Sequence, residues 1–109
     1  MATMTAPVTV SAEAVDHIAL LGMQREFERI VDHLQQQVIG LRAIDVSLEF
    51  GSDEDPRTCV ILAPILTESL HRPDRPLSWE LAKWFVTTFP PEVCVNFVIL
   101  PAYEADDAG

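Results

Sequence analysis

The sequence predicts an α+β domain: a two-layer sandwich in the order α-β-β-α-β, with helices on one face of a three-stranded mixed sheet. Three observations carry this expectation. Apolar residues recur at helical spacing over 27–38 and 77–89, residues 44–50 alternate apolar with polar, and 58–66 and 93–100 are near-continuous apolar runs. A chain of 109 residues has room for one core, and 49% hydrophobic with 22% charged residues is a globular composition.

Residues 1–10 are small and β-branched without helical period, and are read as a flexible N-terminal tail rather than a short edge strand through Val8 and Val10. The single domain then runs over 11–101. Ser11 is placed to cap a helix, with Glu13 in its first turn and Val10 and Val15 placed as a hydrophobic staple. From Phe27 onward, Ile30, Val31, Leu34 and Val38 form one continuous stripe, with Arg25, Glu26, Glu28, Arg29, Asp32 and Gln35 outside it. Gly22 interrupts the pattern, so 11–38 is either one weakened helix or two helices meeting at a bend, and Gly40 stops it.

Ile44, Val46, Leu48 and Phe50 alternate with Asp45, Ser47 and Glu49, which gives a strand with one buried and one wet face. The turn 51–56 leads into a second strand over 58–62, extendable to Leu66 but with its regular pairing expected to end at Pro64, and set antiparallel to the first. A polar connection with two prolines, 67–76, precedes a helix over 77–89, which has Asp74 or Ser78 available as a cap and is ended by Pro90 and Pro91. Val93 to Leu100 is read as the third strand, parallel to the second after a right-handed crossover, in sheet order 2-1-3 or 1-2-3. Residues 102–109 are an acidic C-terminal tail.

The second and third strands are apolar on both faces, the pattern of strands covered on both sides. Two helices cover one face of such a sheet. Either the helical region 12–21 folds over the other face, or an apolar patch remains for a second copy or a protein partner.

With 17 acidic and 7 basic residues the formal charge is −10, which repels phosphate backbones and anionic membranes. No nucleic acid and no membrane are expected as partners. The longest apolar run, Cys59 to Leu66, falls far short of the ~20 residues of a membrane span, and no export signal is visible. Cys59 and Cys94 lie in apolar segments as small reduced hydrophobes, so a cytoplasmic location is expected.

No catalytic, metal or cofactor motif emerges. The echo of Asp16-His17 and Asp32-His33 turns its second histidine roughly 160° from the first on a straight helix, which does not make a metal site. Asp53, Glu54 and Asp55 lack the ligand alternation of a calcium loop, and neither cysteine has a histidine beside it in sequence. The preferred polar contact set is His71, Arg72 and Arg75 on the proline-stiffened connection, with Trp79 beside it as an apolar anchor. The functional expectation is a non-enzymatic acidic protein-interaction or regulatory module, acting as a homodimer and binding a protein partner. The alternative is a small enzyme or ligand-binding domain using the loop 67–76, with Glu68 among its residues.

Overall fold

The structure, a computed structural model, describes residues 6–38, 40–51, 58–67 and 77–104. In chain order the elements are β1 (Val8–Val10), α1 (Ala12–Leu21), α2 (Gln24–Gln37), β2 (Ala43–Glu49), β3 (Cys59–Thr67), α3 (Leu77–Thr88), α4 (Pro91–Cys94), β4 (Phe97–Ile99) and β5 (Ala102–Glu104). The class is the expected α+β. The sheet, however, has five strands among the described residues rather than three, in the order β1-β2-β3-β4, with β5 also pairing β3.

Both additional strands come from segments read as tails. Val8–Val10 pairs parallel with β2, anchored by Ile44 N–H donating to the Pro7 carbonyl at 2.9 Å and Ser11 N–H donating to the Val46 carbonyl at 3.0 Å. Gln35 Nε2 of α2 donates to the Ala6 carbonyl at 3.0 Å, which fixes the approach to the strand. At the other end, Pro101 divides the last stretch into β4 and β5, both parallel to β3. The expected strand from Val93 also begins later, because Pro91 opens a short helical turn in its place. Asn96 closes that turn, its Nδ2 donating to the Glu92 carbonyl at 2.7 Å.

The helical region divides at Gly22, whose φ of 69° is left-handed and suits glycine. Ser11 caps α1 as expected, its hydroxyl accepting from Ala14 N–H at 3.2 Å. The staple does not form, since Val15 is 51% exposed. The stripe of α2 packs as read: Ile30, Leu34 and Val38 are buried, and Phe27 and Val31 pack against the core.

β2 and β3 pair antiparallel in a register that sets Ile44 opposite Pro64, Val46 opposite Leu62 and Leu48 opposite Val60. Pro64 therefore does not end the pairing as expected: the ladder continues past it to Ala43 opposite Ile65, where Arg42 N–H donates to the Ile65 carbonyl at 2.8 Å. This register decides which face is covered. Val60, Leu62, Pro64 and Leu66 of β3 are buried, as are Ile44 and Val46 of β2 and Phe97 of β4. Ala14 and Ile18 of α1, Ile30 and Leu34 of α2, Leu81 and Phe85 of α3 and Val93 of α4 join them in one cluster. All four described helices therefore lie on the same side of the sheet, and α1 adds to that layer instead of wrapping the opposite face.

Candidate functional site

What remains is the other face, built from the odd-numbered residues of β3 and their neighbours in register. Cys59, Ile61, Ala63, Ile65 and Thr67 follow one another along β3, each only half-buried. Parallel pairing sets Val98 beside Ile61 and Ala102 beside Ile65, while antiparallel pairing sets Ala43 beside Ile65. Leu100 N–H donates to the Leu62 carbonyl at 2.9 Å, so the alternation of β4 continues to Leu100, whose side chain is 51% exposed. Ile61, Ile65, Val98 and Leu100, with the small Ala63 and Ala102, thus form an apolar strip along β3, β4 and β5.

The strip has a charged border. On β2, Asp45 stands opposite Ala63, Ser47 opposite Ile61 and Glu49 opposite Cys59, all three exposed, and exposed Thr9 of β1 stands beside Asp45. Glu104 of β5, beside Thr67, lies 3.5 Å from an Arg42 guanidinium nitrogen in the one ion pair among the described residues. Among the described residues Asp45 and Glu49 make no ion pair of this kind, so the described part of the β2 border is a row of negative charge without a facing cation.

The sheet edges give little purchase. β1 has three residues and follows Pro7, and β4 and β5 have three each around Pro101. Short, proline-flanked edges are poor templates for an added strand, which leaves the face as the accessible surface.

Of the contact residues expected from sequence, His71, Arg72 and Arg75 lie outside the described residues, as do Glu68, Asp74 and the 53–55 acidic turn. Trp79 is described, and it is 67% exposed on α3 with the Lys83 ammonium 5.9 Å from its ring centroid. Val86, two turns on, is 61% exposed, so the outer side of α3 carries a second, narrower apolar surface.

The remaining chemistry-bearing groups are engaged in packing. His33 stacks on Trp84 with ring centroids 3.5 Å apart and planes within 7°, and Arg29 lies over the Phe89 ring at 4.8 Å, so α2 and α3 are joined through rings. Burial lowers the pKa of His33 from its ordinary value. The folded chain therefore binds a proton there less readily than the unfolded chain does, and the contribution to stability is lost as pH falls through the folded-state pKa. The expected result is a thermal midpoint that declines on acidification from pH 7 to pH 5 in the native chain, and declines less in His33→Phe, which keeps a ring on Trp84.

Cys94 donates weakly to the carbonyls of Phe85 (3.8 Å) and Phe89 (3.6 Å), and burial, followed by the charge of Glu92, raises its pKa. Cys59 Sγ faces the Val95 carbonyl at 3.7 Å. The raised Cys94 thiol is a poor nucleophile. His17 Nε2 and Glu26 Oε2 are shielded without a hydrogen-bond partner, but no group of three or more His, Cys, Asp or Glu able to hold a metal occurs among the described residues. An open depression lined by Gly22, Gln24, Arg25, Glu26 and Glu28 gathers side chains of the α1–α2 junction and the start of α2 without a nucleophile. No described helix is long and apolar enough to cross a membrane.

The sheet face was legible in the sequence as a two-sided apolar pattern; its acidic border was not, because it depends on strand order and register. Comparison with protein-family models, curated proteins and solved structures finds no match, so the functional reading rests on the residues of this chain.

Proposed function

We propose that the chain is a non-enzymatic acidic protein-interaction module that docks another polypeptide on the open face of its sheet. One observation carries the reading: every described helix packs into the core on one side, while Ile61, Ile65, Val98 and Leu100 line the other beneath no described element. A homodimer formed through this face and a complex with a different chain are the two forms the module can take. A reducing, cytoplasmic setting belongs to the same proposal, supported by two cysteines that are both unpaired. Trp79 on α3 is proposed as a separate contact, supported by the exposure of the indole, with His71, Arg72 and Arg75 joined to it by sequence alone.

Sedimentation of the native chain and of Leu100→Glu across a concentration series, with circular dichroism to verify folding, tests the docking face. Weakened self-association or weakened binding of an added partner in the variant is expected. Identical behaviour of the two proteins in every association measured would remove the sheet face from the proposal.

A further inference from the structure

We infer that the occupant of the open face is an amphipathic helix from another protein, with apolar side chains on the β3–β4–β5 strip and Lys or Arg side chains over Asp45 and Glu49. This rests on the interaction-module reading above and names what docks there.

The dimensions favour a helix. From Ile61 to Ile65 the strip runs about 13 Å, and the two strand positions it occupies span about 10 Å, because residues advance about 3.3 Å along a strand and strands lie about 4.8 Å apart. A helix with its side chains is about 10 Å across, so one helix fits the strip from border to border. It would complete a three-layer arrangement with a helix on each face of the sheet.

A second copy fits less well. An apolar strip of about 130 Å² at these dimensions is small against the roughly 800 Å² per partner of a stable protein–protein interface. A face-to-face dimer would make up the difference by covering β2, which places Asp45 and Glu49 of each copy in or beside the interface without described cations to meet them. Desolvating carboxylates without counter-charges is unfavourable. The single described cation near this face, Arg42, already sits 3.5 Å from Glu104.

Charge therefore selects the partner's chemistry. Asp45 and Glu49 are four residues apart on one strand, about 13 Å, a distance matched by Lys or Arg side chains separated by two to three turns on a helix. The formal charge of −10 on the whole chain adds long-range attraction for a basic segment, while the position of the two carboxylates fixes which flank of the helix carries its cations.

The test uses the full chain and two synthetic helices of about 18 residues, roughly 27 Å long, with leucines along one face and either lysines or glutamates on its flanks. Affinity is measured by fluorescence anisotropy at low and moderate salt. The lysine peptide is expected to bind at least about tenfold more tightly than the glutamate peptide. Asp45→Lys with Glu49→Lys should reverse that preference, whereas the same charge change at exposed Glu13 and Asp16 of α1 should alter affinity by less than about threefold, since screened distant charges contribute little.

Equal binding of both peptides, abolished by Leu100→Glu, would overturn the basic-helix inference and leave the docking face standing. Absence of binding by the lysine peptide, or a native dimer dissociated by Leu100→Glu, would also overturn it. Peptide binding indifferent to Leu100→Glu and Ile61→Asp would sink both the inference and the reading on which it rests.

Discussion

Val60→Asp is expected to unfold the chain, whereas Ile61→Asp, one residue further along β3, is expected to leave it folded. Val60 is fully buried between the sheet and the helical layer, opposite Leu48 of β2 and beside Phe97 of β4. A carboxylate there has no described hydrogen-bond donor or cation, so the substitution should cost about 4 kcal/mol or more. That is a large part of the roughly 5–15 kcal/mol that holds a domain together. Ile61 faces the open side, half-buried between Ser47 and Val98, and a carboxylate there reaches water. Urea denaturation of the two variants checks the contrast; equal losses would mean that both faces of β3 are closed.

Phe97→Ala should be the most damaging of the aromatic truncations, with an expected loss of about 3–5 kcal/mol. The ring is 2% exposed and lies 6.5 Å from Phe27, nearly parallel to it, so it bridges β4 to α2. Two kinds of contact vanish with it. The sheet loses a side chain adjacent to Val60, and α2 loses the partner of Phe27, leaving a cavity that the close-packed surroundings fill only in part. Phe97→Leu, which retains most of the volume, should cost less than half as much. Thermal and urea unfolding measure both, and equal losses would show that retained volume does not replace the ring, contradicting the cavity account.

The sequence made the stripe of α2 legible because Ile30, Leu34 and Val38 must fall on one side of any helix that includes them. It also made the β2–β3 pairing and the parallel return to β4 legible, since a short turn and a helical crossover dictate them. It hid β1, because three residues carry no period, and their pairing with β2 follows only after α1 and α2 have brought the chain back. It hid α4 as well: Val93 and Cys94 are apolar and read as strand, yet Pro91 at the first helical position and Asn96 at the far end make a turn. It hid β5 likewise, because Ala102–Glu104 follow Pro101 in the segment read as an acidic tail.

The candidate site shows the same division. That β3 carries apolar residues on both sides was plain from its composition. Which side the first helix would cover was not, because Ala14 and Ile18 identify an apolar face of α1 without saying against which face of the sheet it lies. Their burial in the same cluster as Leu81 and Phe85 puts α1 on the helical side, so no described element covers the second face. The acidic border at Asp45 and Glu49 then follows from register alone.

Methyl NMR of the dilute, monomeric chain with a soluble paramagnetic agent reads that openness residue by residue. Strong broadening is predicted at Ile61, Ile65, Val98 and Leu100, with Ile30, Leu34, Ile44 and Leu62 left sharp. Equal protection of both sets in the isolated monomer would contradict the open sheet face and, with it, the docking surface proposed here.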